Sequence, residues 1–235
     1  MTKTNPILCA IDTGDAAAAS LLAGAVGDHV GGLKLGLEFF LANGPAMVRK
    51  VAGTTPFFLD LKLHDIPNTV AGAVRSVAPL EPLLLTIHCG GGKAMMAAAA
   101  NAAEEAASRG LRRMQIVGVT VLTSLNDADL AGVGQAGPTL DQARRLAALA
   151  REAGLDGVVC SPHEVAALRR DNGPEFRLVV PGIRPAGAAA DDQKRMMTPR
   201  QALDAGADYL VIGRPITAAA DPAAAARAIA AELGL

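Results

Sequence analysis

The chain has 235 residues, 51% of them hydrophobic, and a formal net charge of −1. A chain of this size can bury one large core, and no Ser/Gly/Pro-rich or charged run is long enough to serve as a linker. We therefore expect a single domain over residues 1–235. The near-neutral charge, without a Lys/Arg-rich block or any tryptophan, argues against a nucleic-acid partner.

The cysteines and the amino terminus indicate the compartment. The chain has three cysteines, Cys9, Cys89 and Cys160, an odd number with no CxxC pair. They lie in apolar strand contexts, which predicts small core residues in a reducing cytosol. Residues 1–6 are polar and do not resemble a signal peptide, and no apolar run reaches the length of a membrane span. We therefore expect a cytoplasmic protein without a membrane partner.

Eight short apolar runs alternate with helical patterns along the chain. Regular alternation predicts a parallel sheet with right-handed crossovers, and eight repeats favour closure into a barrel over an open doubly wound sheet. The predicted fold is therefore α/β, a single (β/α)8 TIM barrel. Its predicted strands are 7–12, 31–36, 57–63, 83–88, 114–121, 157–160, 178–180 and 209–212.

One strand-to-helix connection is far longer than the others. Residues 182–197 follow the seventh predicted strand and hold small and charged residues, where a few residues would suffice as a link. Loops of this length in a compact domain are usually functional. We predict a mobile lid that closes over the barrel mouth.

The third predicted strand carries the strongest chemical signal. Because side chains alternate along a strand, Asp60 and Lys62 share one face and the neighbouring leucines share the other. On a surface strand the ordinary interpretation is a structural ion pair. At the buried end of an apolar strand, however, such charges are costly to desolvate and concentrate at functional sites. We predict that both are catalytic, with Asp65 in the loop before Pro67.

Two further features indicate an anionic ligand at the same end of the barrel. Lys34 lies between two leucines, so it points into the barrel mouth and needs an acidic partner. Gly213 and Arg214 follow the eighth strand and are expected to open the last helix, where free N–H groups and a guanidinium fork suit a phosphate. A Gly-Arg-Pro run often marks only a turn, but the loops after strands seven and eight commonly bind phosphate in barrels.

Several separated motifs resemble one enzyme family. The run Asp60-x-Lys62-x-x-Asp65-Ile66-Pro67-x-Thr69 is similar to the signature of orotidine 5′-phosphate decarboxylase, and residues 181–185, 192–193 and 206–217 match the same family in order and spacing. The resemblance extends from residue 8 to residue 217. It implies conversion of orotidine 5′-monophosphate to UMP and CO2, the last step of de novo UMP biosynthesis, with no cofactor and no metal.

The resemblance also implies a role for each matching residue. Lys62 would stabilise a carbanion at carbon 6 and protonate it, with Asp60 near the departing carboxylate and with Asp65 and Lys34 fixing the array. Arg184, Gln193, Gly213 and Arg214 would clamp the phosphate, and Gln193 would also reach toward the pyrimidine. The remaining substrate-binding residues would be Asp12 on the ribose side, Thr123 and Ser124 at the base, and Ile66 and Thr69.

In the family, the aspartate and threonine at the end of the central motif reach the neighbouring subunit's site. The resemblance therefore implies a homodimer in which Asp65 and Thr69 complete the partner's site. The histidines carry little signal, because His88 after the fourth strand is more often a structural residue than a base or ligand. His29 and His163 have no acidic or cysteine cluster at metal-ligand spacing, so a zinc site is not expected.

Three other functions share part of this pattern. A metal-dependent sugar-phosphate enzyme of the same barrel group shares Asp-x-Lys-x-x-Asp, although the Ile-Pro-Asn-Thr and Leu-Thr-Ser runs and Gln193 fit the nucleotide better. A Schiff-base aldolase could use a strand lysine, but flanking acids favour the charged ammonium over the neutral amine. A non-catalytic sugar-phosphate-binding barrel would need the phosphate clamp and not the charged array.

Overall fold

The computed structural model describes residues 5–185 and 197–235. The strands are β1 (Ile7–Ile11), β2 (Gly32–Gly36), β3 (Phe57–Leu63), β4 (Leu84–His88), β5 (Gln115–Val119), β6 (Gly157–Val159), β7 (Arg177–Val180) and β8 (Tyr209–Ile212). The helices are α1 (Ala16–Val26), α2 (Leu37–Ala52), α3 (Pro67–Val77), α4 (Gly92–Ser108), α5 (Asp127–Gly132), α6 (Thr139–Glu152), α7 (Val165–Asn172), α8 (Pro199–Asp204), α9 (Arg214–Thr217) and α10 (Pro222–Glu232).

The strands form a closed parallel barrel in sequence order. Each strand pairs with the next, and β8 pairs with β1 through Leu8 and Val211. Helices separate consecutive strands and cover the outside, as crossovers between parallel strands require. The predicted (β/α)8 fold is confirmed.

Strand alternation divides the barrel wall into two apolar layers. The outward side chains, such as Ile7, Leu33 and Leu85, pack with the helices in one large cluster. The inward side chains form a smaller cluster inside the barrel, which fills its lower part and leaves the carboxyl ends of the strands open. This inner cluster consists of Leu8, Ala10, Phe58, Leu84, Val117, Val179 and Val211.

Local sequence explains where several elements begin. The Asp15 carboxylate caps α1 by accepting from the backbone N–H groups of Ala17 and Ala18 at 2.7 and 3.2 Å. Pro67 is the first residue of α3, a position where its missing N–H costs nothing. At Gly31, a Cβ would lie 1.9 Å from the carbonyl oxygen of Asn5, so only glycine fits where the chain enters β2.

The structure corrects two details of the sequence-based prediction. Arg214 opens only the four-residue helix α9, and the last helix begins later, where Asp221 accepts from the Ala224 N–H at 2.9 Å. Helix α5 was not predicted, and it begins with a capping box in which Asn126 and Asp129 bond each other's backbone.

All three cysteines are buried and form no disulfide, which confirms that they are small core residues. Within the part of the chain that the structure describes, no helix has both the length and the hydropathy needed to cross a membrane.

Candidate active site

A cavity of about 290 Å³ opens at the carboxyl ends of the strands. Its floor is apolar and comes from the inner layer of the barrel, including Ala10, Phe58 and Val211. Its wall also includes eight predicted site residues: Asp12, Lys34, Asp60, Lys62, Thr123, Arg184, Gly213 and Arg214. The carboxyl end of the barrel thus brings together eight of the predicted site residues around one space of small-molecule size.

Four charged side chains, one directly after β1, one on β2 and two on β3, form a continuous row in this cavity. The Lys34 ammonium lies 2.9 Å from Asp12 Oδ1 and 3.7 Å from Asp60 Oδ2. The Lys62 ammonium lies 2.7 Å from the same Asp60 oxygen. Acid and base therefore alternate along the row, and the acidic partner predicted for Lys34 is present.

Asp60 is the most enclosed acid of the row, with 8% of its surface exposed. Burial would raise its pKa, but the charges of Lys34 and Lys62 and the hydrogen bonds from Lys62 and Thr86 outweigh burial and hold the pKa below its ordinary value. Asp60 is therefore an anion at neutral pH.

The backbone of β3 is irregular at the point where it presents Lys62. Leu59 pairs with Leu85 and Leu63 pairs with Ile87, so four steps along β3 match two along β4. Lys62 has φ of 49°, in the left-handed region that residues with a side chain seldom adopt. Its N–H donates to the hydroxyl oxygen of Thr86 at 2.9 Å.

Sequence reasoning missed Thr86. It is fully buried, and its hydroxyl lies 2.9 Å from Asp60 Oδ1. The available signal was alternation, because Thr86 shares the inward face of β4 with Leu84, and a hydroxyl inside a barrel needs a polar partner.

The ends of the predicted lid lie beside the cavity. Ile183 forms a parallel bridge with Met197, and the Arg184 N–H donates to the Met197 carbonyl at 3.1 Å. The side chain of Arg184 is largely buried and lines the cavity. Gln193 and most of the predicted lid lie outside the described residues.

Four predicted site residues are not brought to the cavity of their own chain. Asp65, Ile66, Thr69 and Ser124 are exposed and do not line the cavity. The Asp65 carboxylate accepts from the Ile66 N–H at 2.6 Å and contributes no ion pair to the charged row. Ile66 is 67% exposed.

One cysteine and two histidines are further titratable groups in this region. Cys160 lines the cavity, and burial first and the charge of Glu164 second raise the pKa of its thiol. The imidazole rings of His64 and His88 are 5.4 Å apart. Burial, His64 and Lys62 lower the pKa of His88 against the opposing effect of Asp60. Among residues 5–185 and 197–235, no three His, Cys, Asp or Glu side chains are grouped as metal ligands would be.

Fold and site together define a (β/α)8 barrel protein with an ionic small-molecule site at the carboxyl ends of its strands. Residues 5–229 match the sequence model of the Orotidine 5'-phosphate decarboxylase / HUMPS family. The chain belongs to this family.

Individual relatives support the same assignment. The chain is 58% identical over 232 residues to an orotidine 5'-phosphate decarboxylase of Rhodospirillum rubrum, and the alignment covers 97% of this chain and 94% of that protein. It is 57% identical over 233 residues to one of Paramagnetospirillum magneticum, covering 98% and 99%. The crystal structure of orotidine 5'-phosphate decarboxylase from Lactobacillus acidophilus superimposes with a TM-score of 0.87 at 35% identity, covering 98% of this chain and all of that one.

Proposed function

We propose that this protein decarboxylates orotidine 5′-monophosphate to UMP and CO2 without a cofactor, as the last step of pyrimidine nucleotide synthesis in the cytoplasm. Family membership and near-complete coverage of relatives with that name support the reaction. The observation that carries the proposal is the row Asp12, Lys34, Asp60 and Lys62, which places an ammonium beside a carboxylate in a substrate-sized cavity.

The chemistry requires stabilisation of negative charge at carbon 6. When the bond from carbon 6 to the carboxylate breaks, its electron pair stays on the ring and CO2 leaves. No adjacent carbonyl can accept that pair, so stabilisation is electrostatic. The Lys62 ammonium is partly exposed to the cavity and can approach this carbon. It then donates one proton, UMP results, and water reprotonates the amine.

Asp60 orients the Lys62 ammonium. Asp60 is ionised because, although burial raises its pKa, two ammonium groups and two hydrogen bonds lower it further. The Lys62 ammonium donates a hydrogen bond to this anion at 2.7 Å, which holds in place the group that stabilises the carbanion and carries the proton to be transferred. Lys34 lies 3.7 Å from the same Asp60 oxygen and adds a second positive charge beside it.

A phosphate clamp on the cavity rim supplies binding energy away from the reacting carbon. Gly213 and Arg214 follow β8, and Arg184 follows β7, the two loops that bind phosphate in many barrels. Arg184 and Arg214 both line the cavity and offer two guanidinium groups that can bind a phosphate in bidentate fashion. Thr123, which also lines the cavity, would contact the base, and Gln193 and the lid would close over the phosphate. Binding energy gained there favours lid closure and substrate orientation.

The active protein is a homodimer of single-domain chains in this proposal. Asp65 and Thr69 are exposed beyond β3, on the outside of their own barrel mouth. The exposed Ile66 between them would be covered by a second copy. Each chain would then provide the four-residue charged row of one site and the Asp65 carboxylate of the other.

A direct assay tests the proposed reaction. Purified protein is mixed with orotidine 5′-monophosphate in the presence of excess EDTA, and the loss of substrate absorbance is followed with UMP identified by chromatography. We expect turnover that EDTA does not change. Loss of turnover in EDTA, restored by a divalent cation, would favour the metal-dependent sugar-phosphate alternative.

A further inference from the structure

Thr86 makes two hydrogen bonds whose direction the structure determines. Its hydroxyl oxygen accepts from the Lys62 backbone N–H at 2.9 Å, and this N–H can only donate. The single hydroxyl proton is then free for Asp60 Oδ1, also 2.9 Å away. Because that carboxylate is ionised, it can only accept. One buried hydroxyl therefore joins the backbone of Lys62 to the side chain of Asp60.

The irregular backbone of β3 gives this hydroxyl its importance. The register shift between Leu59 and Leu63 removes the Lys62 N–H from the regular ladder with β4. A buried N–H without an acceptor is costly, and the left-handed conformation of Lys62 is itself unfavourable for a residue with a side chain. Thr86 supplies the acceptor from the neighbouring strand and so stabilises the conformation that points Lys62 into the cavity.

We propose that Thr86 is a positioning residue of the decarboxylase site, which fixes the Lys62 backbone and the Asp60 carboxylate together and so aims the ammonium at the reacting carbon. The inference rests on the proposed function. Thr86 does not line the cavity and touches no substrate in this account. Its removal should therefore lower kcat and leave substrate binding nearly unchanged.

Three variants separate this role from a general effect of a buried threonine. Thr86→Val keeps the shape and removes the hydroxyl, and Thr86→Ser keeps the hydroxyl and removes a methyl group. Thr120→Val is the matched control, because Thr120 is also buried and its hydroxyl donates to the Val159 carbonyl at 3.1 Å, away from the charged row. Thermal unfolding and circular dichroism are recorded for each variant.

We expect kcat of Thr86→Val to fall by about tenfold to a hundredfold, as for loss of a hydrogen bond to a charged group. The KM and the Kd for UMP measured by calorimetry should stay within about threefold, since a hydroxyl that touches no ligand contributes little to binding. Thr86→Ser should recover most of kcat, and Thr120→Val should keep wild-type kinetics.

If the wild type turns over substrate, the proposed function stands, and either of two variant results would then overturn the inference about Thr86. One is a kcat of Thr86→Val equal to that of Thr120→Val, and the other is an equal loss in Thr86→Ser and Thr86→Val. If Thr86→Val does not fold, Thr86→Cys is measured in its place. A kcat of Thr86→Cys equal to that of Thr120→Val would again contradict the positioning role of Thr86. Absence of turnover by the wild type itself would overturn the proposed function and this inference with it.

Discussion

Strand β3 and the segment after it, residues 64–69, are adjacent in sequence and face opposite sides of the barrel wall. The polar side chains of β3, Asp60 and Lys62, enter the cavity of their own chain. Every residue of the segment 64–69, which we call the outer segment, is exposed. The family motif spans both stretches, so a single sequence signature contains one part that lines the cavity of its own chain and another that does not line it.

The difference has a simple geometric cause. A helix that follows a barrel strand must return along the outside, so the linking residues leave the mouth and turn away from the axis. Pro67 begins α3 directly after Ile66, which leaves the outer segment little length to fold back over the cavity. In the proposed dimer, a residue such as Asp65 would act on substrate in the site of the second chain. The predictions below separate the two stretches.

The largest effect is expected inside the barrel. Lys62→Ala should lower kcat by about 10⁴-fold or more, because it removes both the charge that stabilises the carbanion and the proton donor. Lys93→Ala is the control, since Lys93 forms an exposed ion pair with Glu152 at 3.1 Å and should leave kcat unchanged. Steady-state kinetics and circular dichroism measure both. A Lys62→Ala protein that retains a substantial share of wild-type kcat would refute the mechanism.

In the outer segment, Asp65→Ala should lower kcat by about 10²-fold or more, because a charge close to the reacting array is lost from the partner's site. Its thermal stability at fixed protein concentration should match the wild type, since Asp65 is exposed and its carboxylate, among the residues that the structure describes, bonds only the next N–H. Asp28→Ala is a control at an exposed acid far from the mouth. Wild-type kinetics in Asp65→Ala would remove the outer segment from catalysis.

On the cavity rim, Arg214→Ala should lower kcat/KM by about tenfold to a hundredfold through loss of a charge-assisted contact with the phosphate. Orotidine, which lacks the phosphate, should be a poor substrate whose rate Arg214→Ala hardly changes. Arg109→Ala serves as the control, because Arg109 pairs with Glu105 at the far end of α4. An equal loss with both substrates would show that Arg214 is not part of the clamp.

The smallest effect concerns acid stability. The pKa of Asp60 is lowered in the folded protein, so its contribution to stability is present above the unfolded value of about 3.9 and is lost as pH falls through the folded pKa. The difference in unfolding free energy between wild type and Asp60→Asn should therefore be constant from pH 5 to 7 and shrink below about pH 4. Urea denaturation at each pH measures it. A difference that grows toward low pH would contradict the lowered pKa.

Sequence predicted the barrel and the inward charges because both depend on strand alternation. Eight apolar runs fixed the number of strands, and alternation placed Lys34, Asp60 and Lys62 on the inner face, where the structure has them. These are short-range properties of the chain. The four-residue helix at Arg214 escaped prediction because the helical pattern continues in sequence while the backbone breaks before Asp221.

Two other features depend on pairing between strands and could not be read along one of them. The left-handed conformation of Lys62 follows from a register shift against β4, and a register shift has no signature in the β3 sequence. Thr86 was visible as an inward hydroxyl, but its partners Asp60 and Lys62 lie on the neighbouring strand. The partner-facing role of Asp65 and Thr69 came only from family resemblance.

Complementation between inactive subunits tests most directly whether β3 and the outer segment serve different sites. Lys62→Ala and Asp65→Ala proteins are mixed, subunit exchange is confirmed by native mass spectrometry, and turnover of orotidine 5′-monophosphate is measured. Random exchange makes about half of the dimers mixed, each with one intact site of two, so activity should approach roughly a quarter of wild type. If confirmed mixed dimers show no recovery, each barrel builds its site alone and the account is contradicted.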